Sequence, residues 1–215
     1  MTRIGATLLA AMAFGSGCSH WGSSRPFSPA ELETSDGWVA VRGVPFRSQT
    51  GDADSGIAAL GMIFAFWRLE DWPRERVEAA CSVLKGRGTP ARELRACARG
   101  AGLESHLVHG AWDDLVGELR CGRPVVVGLA TSSEEGAGLR YEVVVAVHPR
   151  ERRVVTLDPA RGWREIGVHG FLTEWEETTN LLLVFSGRSA PLGVATDPGR
   201  NRPPRDAELR PGSRR

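Results

Sequence analysis

Apolar positions change their spacing halfway along the chain. From Gly56 to Trp67 (GIAALGMIFAFW) they run nearly unbroken, which predicts a helix buried in the interior. The Asp52–Ser55 turn ahead of it supplies cap-type residues. Pro73 to Leu84 reads as a second helix, its start marked by Trp72-Pro73. Thr89-Pro90-Ala91 opens a third that runs to Arg99 and is stopped by Gly100 and Gly102, and Asp113 to Leu119 forms a short fourth. Beyond this point β-branched runs bounded by Gly, Pro and charge take over: Arg123–Ala130 (RPVVVGLA), Tyr141–Val147 (YEVVVAV), Arg153–Asp158 (RVVTLD) and Leu181–Phe185 (LLLVF). Helices first and an antiparallel sheet afterwards give an α+β fold, with the N-terminal helices packed on the sheet.

The two ends of the chain follow neither pattern. Arg3 precedes a short uncharged apolar run, Ile4 to Phe14, and Gly15-Ser16-Gly17 then leads to Cys18. That is the layout of a secretory signal with a small-residue cleavage site. The apolar run is shorter than the about 20 residues that a membrane-spanning helix needs. The segment FGSGC resembles a bacterial lipobox, in which the cysteine is lipidated and becomes the mature N-terminus. Gly15 departs from the leucine usual there, and a plain signal peptide cleaved nearby is the alternative. Ser19 follows Cys18 where an inner-membrane retention signal has Asp, so in a Gram-negative source the expected address is the outer membrane. The expected organisation is therefore a signal peptide and lipobox over 1–18, a polar tether over 19–37, a folded domain over 38–186, and a Pro/Arg-rich segment over 187–215. That last segment has too few large apolar residues to offset its ordering entropy.

Composition narrows the picture only slightly. In 215 residues, 41% hydrophobic and 25% charged, there is enough apolar surface for a core without a stabilising metal. A net charge of +1 gives no overall field that would suggest nucleic acid. With Cys18 assigned to lipid, the spacings of Cys81, Cys97 and Cys121 match no zinc pattern. They read as small buried residues, with a Cys97–Cys121 disulfide as the alternative in an oxidising compartment. No cofactor and no metal site are expected. His106 and His109 lie three apart on an expected strand and so face opposite sides, a poor metal pair.

Chemistry enters through a set of spaced motifs. Val44-Pro45-Phe46, then Gln49, then Asp54-Ser55-Gly56 at the head of the apolar helix come first, continued by Ala58-Ala59-Leu60. Gly88-Thr89, Leu94, Ala101-Gly102-Leu103, Gly122-Arg123-Pro124, the strand from Tyr141, Asp158-Pro159 and finally Phe171 and Trp175 follow in order. This series resembles the bacteriocin-processing cysteine peptidases, papain-like enzymes that cleave after double-glycine leaders. The resemblance implies a papain-like fold and four site positions: an oxyanion donor at Gln49, a nucleophile at Ser55, a histidine position at Arg140 and an orienting acid at Asp158. Two of the four depart from the family pattern, since Ser55 stands for the cysteine and Arg140 for the histidine.

Those departures bear directly on chemistry. A thiol with a pKa of about 8.5 is drawn to thiolate beside an imidazole at a helix N-terminus. A serine hydroxyl needs a general base, and a guanidinium stays protonated at physiological pH and cannot serve. His148, eight residues along the same strand, would lie about 26 Å away at 3.3 Å per residue. The resemblance thus implies a lipid-anchored, inactive peptidase-like domain that binds a peptide or envelope protein. The competing readings are a residual Ser55-dependent hydrolase and a structural assembly factor using an outer, Trp-bearing face. Within the site, Arg140 is expected to pair with Asp158, with Glu142 as a competitor on the same face of the strand.

Overall fold

Alternation in the second half of the chain builds the sheet around which everything else is placed. The computed structural model describes residues 24–51, 53–81, 88–133 and 136–187. Its strands are β1 (Ser24–Pro26), β2 (Val39–Ala40), β3 (Glu104–His109), β4 (Val125–Ser133), β5 (Gly136–His148), β6 (Arg153–Asp158), β7 (Gly162–Gly167) and β8 (Leu181–Ser186). Its helices are α1 (Glu31–Thr34), α2 (Ser55–Phe66), α3 (Arg74–Ala80), α4 (Ala91–Gly100), α5 (Trp112–Arg120) and α6 (Val168–Glu176). One eight-stranded sheet runs in the order β1-β7-β6-β5-β4-β8-β3, with β2 pairing to the far end of β5. Every pairing is antiparallel, and β5 is its longest strand, bonded to β4, β6 and β2. The α+β architecture expected from the pattern is the one observed.

Helix α2 explains its own composition. Ser55, Gly56, Ile57, Ala58, Ala59, Leu60, Met62, Ile63, Phe64 and Phe66 are all buried, because the helix is covered by β5, β4, α3 and α4. A helix enclosed on nearly all sides must be apolar on nearly all sides. Each large side chain hidden this way contributes about 1.5–3 kcal/mol relative to exposure. Helix α4 is the opposite case: Ala91, Leu94, Cys97 and Ala98 are buried at helical spacing while arginines face outward. Within helix α5, Ala111 N donates to Asp114 Oδ2 at 2.8 Å, which ties down the first turn.

Four expectations need correction. Of the tether expected over 19–37, residues 24–37 belong to the packed domain: β1 pairs with β7, and Phe27 and Leu32 are buried. The segment is polar overall, but these two apolar side chains are enough to anchor it. The second helix is shorter than expected: it spans Arg74–Ala80 and ends there because Cys81 is already extended, while 82–87 lie outside the described residues. Cys97 does not pair with Cys121: it forms a disulfide with Cys81, at a Cα–Cα distance of 5.6 Å, while Cys121 is free and exposed. Cys81 was a buried filler on the sequence pattern, and only the docking of α3 beside α4 brings it within reach of Cys97. Finally, β7 and α6 were not foreseen as elements, although Val168, Phe171, Leu172 and Trp175 show helical spacing. Cys18 and residues 188–215 lie outside the described residues. No helix among the described residues is long and apolar enough to cross a membrane.

Candidate active site

The site forms where the N-terminus of α2 meets the middle of β5 at Tyr141. Ser55, the first residue of α2, is 7% exposed, and its Oγ accepts a hydrogen bond from Tyr141 N at 3.2 Å. The approach is close because residue 56 is glycine. A Cβ there would lie 3.1 Å from both Leu94 Cδ1 and Tyr141 Cδ2, so these side chains would have to shift by a few tenths of an ångström to admit one. Tyr141 is itself buried, and burial pushes its phenol above the ordinary range because the phenolate would lose its hydration. Among the described residues its hydroxyl has no hydrogen-bond partner.

The loop ahead of α2 is pinned from two directions. Arg74 of α3 donates to Ser48 O at 2.9 Å and to Thr50 Oγ1 at 2.8 Å, and lies 3.5 Å from Asp54 Oδ2. Thr50 in turn donates to Asp54 Oδ2 at 2.6 Å. On the other side Gln49 N donates to Pro159 O at 2.9 Å, which ties the expected oxyanion donor to the turn holding Asp158. Gln49 is thereby tied to the neighbour of Asp158, and Ser55 to the neighbour of Arg140. Arg74 is a positioning residue that the sequence did not point to; nothing in a lone helical arginine marks a loop partner some 24 residues away.

On the other face of β5 the polarity is reversed. Arg140 Nε donates to Glu142 Oε1 at 2.8 Å, its Nη1 donates to Ala130 O at 2.8 Å, and its Nη2 bonds Glu174 Oε2. Glu142 and Glu174 are 0% and 1% exposed. Burial alone would favour a neutral guanidine, but Glu142 and Glu174 overcome it and hold Arg140 above its ordinary range. Of the partners expected for Arg140, Glu142 is bonded to it, and Glu174 of α6, which was not expected, joins it. Asp158 Oδ1 accepts from Ala160 N at 2.8 Å, and Arg161 Nε lies 3.9 Å from Oδ2. Those contacts form the β6–β7 turn. The guanidinium is drawn toward β4 and α6, whereas Ser55 lies against the backbone N–H of the next residue along β5. Glu174 was missed, yet it sits three residues after Phe171, on the buried stripe of a helical pattern, and a lone carboxylate there calls for a cation.

Histidines stand apart from this site. His148 is buried at the far end of β5, where Nε2 meets Asp36 O at 3.1 Å and Nδ1 accepts from Glu151 N at 3.1 Å. His109 on the edge strand β3 meets Thr179 O at 2.7 Å. Among the described residues no imidazole or carboxylate bonds Ser55 Oγ, and none form a cluster of three or more His, Cys, Asp or Glu suited to a metal.

Fold and geometry together place the molecule among papain-like peptidase domains. The family model described as Peptidase C39 family matches residues 43–189, and the chain belongs to that family. Solved structures agree. A double-glycine-motif protease from an AMS/PCAT transporter, in complex with its leader peptide, superposes with a TM-score of 0.53 at 21% identity over 68% of this chain and 93% of that one. The peptidase domain of Streptococcus ComA, a bifunctional ABC transporter of a quorum-sensing pathway, gives 0.56 at 16% identity over 68% and 100%. A C39-like peptidase from Bacillus anthracis gives 0.58 at 14% identity over 72% and 100%. No curated protein sequence matched the chain.

Proposed function

We propose that this C39-family domain is exported, is anchored by lipid at Cys18, and binds a peptide or a partner envelope protein without cutting it. The observation that carries the reading is the pairing at Ser55: its hydroxyl is engaged by the Tyr141 backbone N–H, and the residue before Tyr141 is a partly buried arginine clamped by two glutamates. A serine needs a base to accept its proton in the attack on a carbonyl. Arg140, charged and with its nitrogens committed, cannot accept one. Loss of such groups leaves only binding and oxyanion stabilisation, several orders of magnitude short of a working triad.

What is kept favours recognition. Gln49 remains beside the Asp158 turn through its bond to Pro159 O, and the loop over 48–54 is braced by Arg74. A peptide ligand accords with the relative solved with its leader peptide. The Cys81–Cys97 disulfide accords with an oxidising compartment, and so with export.

The test is covalent trapping. The domain is incubated with broad serine- and cysteine-directed activity probes, and labelling at residue 55 is read by mass spectrometry against Ser55→Ala. No Ser55-dependent label is expected. Clear labelling would overturn the non-cleaving reading and favour the residual hydrolase. Anchoring is read separately, as fatty-acid incorporation that disappears in Cys18→Ser.

A further inference from the structure

Among the described residues His148 is the one buried histidine, 5% exposed, and the site around Ser55 does not use it. It ends β5, at the end of the sheet where the segment over 24–44 passes as a strap from β7 to β5. The ring bridges this strap to the β5–β6 turn. Glu151 N donates to Nδ1 at 3.1 Å, so Nδ1 carries no proton, and Nε2–H therefore donates to Asp36 O at 3.1 Å. One neutral tautomer meets both demands and holds the strap against the turn.

The strap is shaped to that ring. Gly37 has φ +91°, in the left-handed region that favours glycine, and a Cβ there would lie 2.6 Å from Nε2. Trp38 meets the ring edge-on, with centroids 5.2 Å apart, and the Arg153 guanidinium lies 5.1 Å from the indole centroid. Beyond Trp38 the strap is held to β5 by the two-residue strand β2 and by Val41 N, which donates to Val145 O at 2.8 Å. So short a ladder leaves much of the hold to the histidine.

A second proton on the ring has one place to go, Nδ1. There it would face the Glu151 N–H, donor against donor, and the turn would lose its acceptor. Charged groups stand around the ring on three elements. Asp36 belongs to the exposed part of the strap. Glu151 Oε1 lies 3.5 Å from Nε2, but Glu151 is 55% exposed and is shared with Arg153. Arg153 of β6 also bonds Glu165, which Arg25 pairs from β1. Glu151 favours an imidazolium and Arg153 opposes it, which leaves the loss at Nδ1 to decide the sign.

We propose that His148 is a pH-operated latch: its neutral ring closes residues 36–40 onto the β5–β6 turn, and protonation at Nδ1 releases them. Imidazole is the side chain that ordinarily changes charge between about pH 5 and 8. The open state takes up a proton at an acceptor that the latched state has already committed, so opening grows as pH falls. The strap runs on into the loop carrying Gln49, so the latch sits on the covalent path into the site. The proposal depends neither on the reactivity of Ser55 nor on lipid at Cys18.

Hydrogen exchange read by mass spectrometry on the full chain, corrected for the intrinsic exchange rate, tests it. Between about pH 7.5 and about pH 5, opening of residues 36–40 and 150–152 is expected to rise at least about tenfold, against less than about twofold for β8. His148→Asn places an amide oxygen where Nδ1 stood, keeps the bond from Glu151 N and does not titrate. Its strap is expected to open to the same extent at both pH values. An equal rise in the variant would overturn the proposal and assign the effect to Asp36 or Glu151. No rise in the unsubstituted chain would overturn it as well. Nitrogen-15 shifts of the imidazole in the unsubstituted chain decide the case without a variant: the Nε2–H tautomer is expected at about pH 7.5, with protonation in step with opening. An Nδ1–H tautomer, or an imidazolium within a closed strap, would overturn the latch.

Discussion

On the α2 side of β5, Tyr141 packs against Gly56 and Leu94 and shares a neutral hydrogen bond with Ser55. On the α6 side, one residue earlier and one later, Arg140 and Glu142 enter a buried ionic network with Glu174. The strand is the same and the burial is similar, but the energetics are not. A neutral contact is worth about 1 kcal/mol and fails gently. A buried ion cluster is near break-even when complete, and costly when broken, because the groups left behind keep their charge without a partner. Arg140, the position that the family resemblance assigns to a base, thus takes part in an ionic network, while Ser55, the position assigned to the nucleophile, makes a neutral bond to the adjoining backbone.

The sharpest way to break this contrast is Arg140→Leu. It should cost about 3–5 kcal/mol in urea unfolding, since Glu142 and Glu174 remain buried together. Replacing the whole cluster, Arg140→Leu with Glu142→Leu and Glu174→Leu, should recover most of that loss. Equal loss in both variants would mean that packing, not charge, sets the cost. Removing the disulfide by Cys81→Ser and Cys97→Ser, across a separation of 16 residues, should cost about 3 kcal/mol and should be mimicked by reductant.

Smaller effects belong to the neutral side. Ser55→Ala should cost about 1–2 kcal/mol, because the Tyr141 N–H is left buried without an acceptor. A loss as large as that of Arg140→Leu would erase the distinction between the two faces. Tyr141→Phe should be the mildest, neutral to about 1 kcal/mol stabilising, because its hydroxyl is buried without a partner.

The same phenol gives a pH signature. Its pKa is raised by burial, so the folded state keeps the proton to higher pH than the unfolded chain. The stability it supplies is complete below the unfolded value of about 10, and is lost as pH rises toward the folded value. Tyr141 is the chain's single tyrosine, so phenolate absorbance reads it alone. That absorbance should appear only as the protein unfolds in alkali, and Tyr141→Phe should flatten stability against pH above about 10.

Legibility in the sequence followed locality. The helix over 55–66 and the strand over 153–158 were plain from apolar runs and their Gly, Pro and charged boundaries, because burial on one or all sides leaves a periodic mark. Gln49, Ser55, Arg140 and Asp158 were picked out as candidate positions through ordered motifs; the structure ties Gln49 to the neighbour of Asp158 and Ser55 to the neighbour of Arg140. Residues 24–37 were misjudged because a polar segment can be held by two buried side chains and one short strand pairing.

What the sequence determined by itself was the main helices and strands, the α+β class and the identity of the groups available at the site. Tertiary structure alone decided the partners: Cys81 rather than Cys121 for Cys97, Glu142 and Glu174 around Arg140, and Arg74 beneath the loop over 48–54. The physical reason is distance along the chain. Periodicity records which face of an element is buried, but which side chain waits on the other side depends on how remote elements dock, and nothing local encodes that.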